Sequence, residues 1–385
     1  MKFRNAPIYV WFFIAVAVIE GCDNTIFPIQ GSAPLVSDQE EFTRQIEVPL
    51  NAKILEFHHH GGNIKFVGWD QSYVLIQGTT RASAESVQMA RAILDMVEIT
   101  ASEQPENRLV IDYEGPGNFG KNSNPDEGMD YTANIPYRMI LDVQAENSIV
   151  LANSLQSDVY ITLRDGDIQA ETIQGNLTIE ATGRKNAGDR VTVKSIERNI
   201  DLKTRHVDLD VDQINGETLI DHRVGEIRLT NLRSKVTLTG RETAVLLSHI
   251  QGLLQLDNEG GDVLCDNFYD GINAEIRNGT LRLEPKVPVT RSYDCTVKKG
   301  NLILRVPDNS NMLLELMAVN GSIHSEFPLQ VSAEGKISYA KGAINQGFPS
   351  VKLDVEKGSI SILREIPMSG SPTLSTSQPS FQEAP

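Results

Sequence analysis

From residue 141 to about 366, apolar and polar side chains alternate in short runs, and most runs open on the same signal. Gly166-Asp167-Ile168 and Gly175-Asn176-Leu177 each place a glycine, a polar residue and an aliphatic residue in succession. The unit returns, with small variations, as GEI from 225, GLL from 252, GDV from 261, GTL from 279, GNL from 300, GSI from 321, GKI from 335 and GSI from 358. Alternation with period two predicts half-buried strands. The glycine supplies a corner of positive φ, the polar residue caps the turn, and the aliphatic residue starts an inward strand position. Intervals of about nine, 18 and 21 residues predict stacked coils of about 20 residues, each burying its apolar face only against the next. Leucine-rich repeats share this period, but their fixed Leu and Asn ladder is missing. A sandwich of hairpins would need many more Asn-Gly turns than occur. The fold class is therefore all-β: a right-handed, β-helix-like solenoid over 141–366.

Upstream, residues 45–140 predict a small β-rich cap. "AKILEF" leads into "GGNIKFVGWDQSYVLIQGTTRA", where Ile64 and Phe66 alternate with Asn63 and Lys65 as strand, turn and strand. Val87, Ala90, Leu94 and Val97 stand at helical spacing and predict one short helix within 82–97. "RLVIDYEG" reads as a further strand. The Gly, Asn and Pro of 114–130 predict a long loop and a subdomain boundary.

The two ends differ from the body. Lys2 and Arg4 precede the apolar run Ile8–Ile19, the layout of a signal peptide over 1–21. Such a helix is about 18 Å long, too short for a hydrocarbon core of about 30 Å. The following "VIEGC" is similar to the bacterial lipoprotein box: Ile19 and Gly21 match it, and Glu20 departs from it. That resemblance implies that Cys22 is lipid-modified and anchors the chain, the only membrane contact expected. Residues 22–44, with two prolines, a Gly-Ser pair and an acidic run, predict a flexible tether. The Ser/Pro-rich 367–385 predict a disordered tail.

A net charge of −16 argues against nucleic acid as a partner, because phosphate backbones are held by basic surfaces. Aromatic residues are only 6% of the chain, so the core must be tiled with Val, Ile and Leu. In "HVDLDVDQ", Val207, Leu209 and Val211 should face inward, leaving His206, Asp208, Asp210 and Asp212 on one outer face. These four are the weak candidates for a Ca²⁺ site. Carboxylates about 7 Å apart along one strand cannot share an ion, so a site would need adjacent coils. In His58-His59-His60 the first and third rings point one way and the second the other, which reads as a turn of exposed histidines rather than a metal site. Cys265 matches the inward Ala170, and Cys295 shares its parity with Tyr293 and Val297. Both are expected as free buried thiols, since their spacing is no whole number of coils. No Gly-x-Ser-x-Gly, Cys/His pair or phosphate loop is present, so no catalytic residue and no cofactor are assigned.

"GGNIKFVGWDQSYVLIQGT", "DYTANIPYRMILDVQAENSIVLANS", "DGDIQAETIQGNLTIE" and "SVKLDVEKGSISI" follow one another as in a bacterial adhesin-like family of unknown function, related to head-GIN and autotransporter-adhesin-like domains. The resemblance covers about residues 50–364, with Asn147-Ser148-Ile149 standing where the family usually begins its first Gly-Asp-Ile. It implies an extracytoplasmic, non-enzymatic β-solenoid; "adhesin" transfers fold and location better than function. The leading expectation is a lipid-tethered cell-envelope protein that binds another protein or a glycan at the surface or in the periplasm. An envelope-stress sensor and a polysaccharide-active β-helix enzyme are the alternatives. An exposed aromatic strip would favour glycan binding, and a converging acidic cleft would favour the enzyme.

Overall fold

Aliphatic side chains turn inward at every second position of nearly every strand, and the chain stacks those strands into two parallel walls. The computed structural model describes residues 35–116, 119 and 127–365. On the first wall Leu141, Val159, Leu177, Ile200 and Thr218 stand in register on successive coils. On the second wall Val150, Ile168, Val191, Leu209, Ile227 and Val245 do the same. Nearly all of these side chains are fully buried and form one continuous apolar core between the walls.

The coil is slightly shorter than the spacing predicts. Partners such as Asp208 and Glu226 on adjacent coils are 18 residues apart, and inserted residues lengthen other steps, such as Asp167 to Arg190, to 23. The half-interval of nine has a simple cause: Gly166 opens a strand on the second wall, and Gly175 opens the next strand on the first. At Gly166 φ is +137°, and a Cβ there would lie 2.0 Å from the Ser148 carbonyl oxygen of the coil beneath. Close stacking, as well as the dihedral, excludes a side chain at this corner.

The polar residue of each unit links coils. Asp167, Asp208 and Asp262 accept backbone N–H bonds from Arg190, Glu226 and Thr280 of the next coil at 2.7, 3.1 and 2.7 Å. At the opposite turn Asp158, Asn176 and Asn199 form the same kind of ladder to Asn176, Asn199 and Glu217. The register also moves one sequence assignment by a residue. Ser148, Ile149 and Val150 stand opposite Gly166, Asp167 and Ile168, so the unit here is Ser148-Ile149-Val150. Gly62-Asn63-Ile64 lies beneath it and is the first glycine-containing unit of the stack.

The cap is not separate from the solenoid. Strand Ile54–Trp69 pairs in parallel with Ile140–Leu155 along both walls, so it is itself a coil. Arg108–Glu114 and Gly128–Pro136 complete a further coil on its other side. The tether expected over 22–44 gives way to an antiparallel edge strand, Val36–Glu47, paired with Tyr73–Ala84. Its apolar residues were too few and too far apart to reveal it. The helix is Val87–Leu94, with Ser86 as N-cap accepting from the Met89 N–H at 3.3 Å and with Ala90 and Leu94 buried. The loop expected over 114–130 ends earlier, because Gly128–Pro136 is a strand.

At the far end the order in space departs from the order in sequence. Ser350–Val355 lies between Tyr293–Lys299 and Met312–Val319 on the first wall. Ile360–Arg364 lies between Leu302–Val306 and Ile323–Ser325 on the second. The last coil of the chain thus fills a gap left open by the strands before it. The GKI unit from 335 is not a coil corner but the turn of an antiparallel hairpin, Gln330–Glu334 with Ile337–Ile344. The signal peptide, Cys22 and the tail 367–385 lie outside the described residues. Among the described residues no helix is long and apolar enough to cross a membrane.

Candidate functional site

Outward residues of the first wall form columns, because coils in register bring equivalent positions together. Over the coils nearest the cap they line a long open cleft of about 810 Å³, from His58 and Asp112 at one end to Asp221 and Arg223 at the other. Its cap end is a network of charges. His58 contacts Glu56 at 2.9 Å and Asp112 at 3.3 Å, and Arg108 reaches Glu56 and Asp142 at 2.6 and 3.0 Å. Glu146 joins His60, at 3.3 Å, to Arg164. Burial acts to raise the Glu56 carboxyl, but the hydrogen bonds and charges of His58 and Arg108 outweigh it and hold the group below its usual range. Burial likewise acts to lower His58, and the Glu56 and Asp112 carboxylates reverse the sign.

Beyond this network the column nearest the corner turns basic. Glu146, Arg164, Thr182, Arg205, Arg223 and Arg241 occupy it on successive coils. Arg241 pairs with Glu259 at 2.9 Å, while among the described residues no carboxylate lies within ion-pair distance of Arg205 or Arg223. Next to them Lys203 holds Glu180 at 3.0 Å, which raises the lysine, and Asp221 stands opposite Lys203. The sequence carried a signal for this column: Arg164, Arg205, Arg223 and Arg241 each end an alternating run just before a corner. Reading it required the 18-residue register and the inserted loop between Thr182 and Arg190.

The acidic strand lies elsewhere, on the second wall. Val207, Leu209 and Val211 are buried, as the alternation predicts. Asp208 is committed to the Glu226 N–H, and Asp212 accepts from the Asn231 amide at 2.7 Å. Asp210 stands between Thr192 and Arg228. His206 leaves the row, because its φ of 56° makes it the corner residue. The four residues are not gathered around a common centre, and no group of three or more metal-ligating side chains occurs among the described residues.

The histidine run is a strand, not an exposed turn. His58 and His60 face the cleft, while His59 is fully buried between Tyr113 and Tyr131, with ring centroids 5.4 and 5.3 Å away. Alternation through a strand accounts for this; the three polar letters hid it. Cys265 and Cys295 are buried and free, on opposite walls. Among the described residues, the exposed aromatics Tyr160, Tyr269, Tyr339 and Phe348 form no strip.

The profile of the Toastrack DUF4097 family matches residues 148–363, more than half of the chain and nearly all of the stacked coils. The chain belongs to the Toastrack family. The Toastrack match begins at Ser148, so the arginine column from Arg164 onward lies inside it and the cap-end network largely outside. Two solved structures are similar to this chain at low identity. One is a candidate cell adhesion protein from Clostridium sporogenes, 11% identical, covering 85% of this chain and 100% of that one, with a TM-score of 0.21. The other is a candidate adhesin from Bacteroides fragilis, 13% identical, covering 85% and 97%, with a TM-score of 0.25. No curated protein matches the chain.

Proposed function

We propose that this Toastrack protein is a non-enzymatic binding module of the cell envelope, which holds a protein or glycan against the outer face of its first wall. The supporting observation is the cleft itself: it is open along its length and crosses several coils, as an extended partner requires. Glycoside hydrolysis instead needs a carboxyl held protonated beside an ionised one. Glu56, which meets the cleft residue His58 at the cap end, is displaced the opposite way, by His58 and Arg108 against the effect of burial. The charge network at the cap end, ion-paired through His58 and Arg108, therefore favours recognition by fixed charges over acid–base chemistry.

The full chain is tested on a glycan array and on envelope fractions, alongside lyase and hydrolase assays with pectin-like and peptidoglycan-derived substrates. Binding without turnover is expected. Turnover that disappears when a single cleft carboxylate is changed would overturn the proposal. Envelope placement rests on the signal-like N-terminus, and anchoring on Cys22. Cys22→Ser should move the protein from the membrane to the soluble fraction. A variant that stays membrane-bound, with no lipid on the wild type by mass spectrometry, would remove the anchor from this reading.

A further inference from the structure

Arginines directly opposite one another on adjacent strands repel, and such pairs destabilise a sheet. Arg205, Arg223 and Arg241 nevertheless occupy three consecutive coils in register. The chain has 51 Asp and Glu against 35 Lys and Arg, so carboxylates to interleave are not scarce. Arg164 and Arg241, at the ends of the column, are neutralised by Glu146 and Glu259. The two between them, Arg205 and Arg223, are exposed, line the cleft of about 810 Å³ and have no ion-pair partner among the described residues. A fold gains nothing from this arrangement, whereas an anion lying across it would.

We infer that the Arg205–Arg223 column is a binding site for a linear acidic polysaccharide, with carboxylate or sulfate groups on successive sugars, running along the solenoid axis. This rests on the binding-module reading above and names its ligand class. Each guanidinium presents a planar fork that matches a carboxylate or sulfate through two parallel hydrogen bonds. Adjacent coils are about 4.8 Å apart, comparable to one sugar unit in an extended chain. An acidic peptide in β conformation fits less well, because its side chains on one face repeat at about 6.8 Å. A nucleic acid would have to approach against the charge of −16. Lys203 holds Glu180 and faces Asp221, which leaves the guanidinium column as the uncompensated positive charge of the cleft.

The test measures binding of the full chain to oligogalacturonate, its fully methyl-esterified form, heparin-derived oligosaccharide, poly-glutamate and a DNA duplex. Binding to one or both acidic glycans but not to the methyl ester is expected, and the carboxylated and sulfated arms decide between the two anions. The double variant Arg205→Gln/Arg223→Gln should weaken it at least about tenfold, in line with the loss of two charge-assisted contacts. The double variant Arg198→Gln/Arg233→Gln, which changes the net charge equally at exposed turns, should leave it nearly unchanged. Thermal unfolding of the first pair should be at or above wild type, because repulsion has been removed; a lower midpoint would show that the column serves the fold. Failure to bind either acidic glycan, or equal weakening by both pairs, would overturn the site. Tighter, equally arginine-dependent binding of poly-glutamate or DNA would overturn the ligand class. Binding of a neutral glycan or an envelope protein, indifferent to Arg205 and Arg223, would sink this inference and leave the binding-module reading standing.

Discussion

Gly166 and Gly188 both have positive φ, +137° and +78°, yet they answer different demands. Gly166 is pressed against the Ser148 carbonyl of the neighbouring coil, while nothing lies within 4 Å of a Cβ built on Gly188. Gly188→Ala should therefore show only the dihedral penalty, about 1 kcal/mol. Gly166→Ala adds a collision with backbone that cannot move without opening the stack, and should lose at least about 2 kcal/mol more. Urea unfolding of the two variants checks this; equal losses would mean that coil contact does not select the glycine. Thr172 is a related case, an exposed β-branched residue held at φ 58°. Thr172→Gly should raise stability by up to about 1 kcal/mol by removing that strain. Thr172→Ala should stay within about 0.5 kcal/mol. Earlier on the same strand, the fully packed Ile168 should lose about 2–5 kcal/mol on change to Ala. Calorimetric midpoints that shift equally for Ile168→Ala and Thr172→Ala would contradict the strand phase.

Strand Ile54–Trp69 carries two histidines of opposite pH behaviour within one alternation. Burial, aided by the neighbouring His60, pushes His59 down to about 3. Burial also pushes His222 down to about 4, against the pull of Asp208 and Asp221. Unfolded histidine titrates near 6.5, so the unfolded chain takes up these protons first. Stability from the neutral rings is present above about pH 6.5 and is lost as pH falls toward those depressed values. His58 works the other way: its raised value stabilises below about pH 6.5, and the gain fades as pH rises through that raised value. His59→Leu should consequently relieve about 2 kcal/mol of the acid loss at pH 5, relative to the wild type's own change from pH 8. Unfolding curves at the two pH values measure it, and an unaltered pH dependence would refute the buried neutral ring. Much of this element was legible in the sequence and some was not. Alternation alone placed His58 and His60 on one face and His59 on the other, and it placed Val207, Leu209 and Val211 inward. It did not show that three successive polar letters continued a strand, since strandedness there comes from pairing with Gln144, Ala145 and Glu146, far along the chain. The arginine column was hidden for the same reason. Arg205 and Arg223 become neighbours only through coil register, and an inserted loop breaks the count back to Arg164. Even the one-residue shift at Ser148 is a register effect, invisible until the next coil is laid on top.

A solenoid is close to one-dimensional, and removing a terminal repeat should ordinarily shorten it without harming the rest. This chain is built differently at its far end. Strands Ser350–Val355 and Ile360–Arg364, last in sequence, are inserted between coils made earlier, so they carry two coil interfaces instead of one. Val351, Leu353, Val355, Ile360 and Ile362 are all buried in these interfaces. Until they are in place, Met312–Val319 has its antiparallel partner Ile337–Ile344 on one side and an open edge on the other. Ending the chain after Gly347 should therefore cost the whole terminal assembly, hairpin included, while the coils up to Ile250 keep their contacts. Amide hydrogen exchange on the truncated chain reads this directly. Protection is expected to fall in Met312–Val319 and Ile337–Ile344, and to persist in Leu141–Ile250. Full protection in Met312–Val319 would show that this strand docks straight onto Tyr293–Lys299 and that the closing coil is dispensable. The expected pattern follows from burial: a filler strand is apolar toward the core and backbone-paired on both sides, so its loss leaves an unpaired edge on each of its two neighbours.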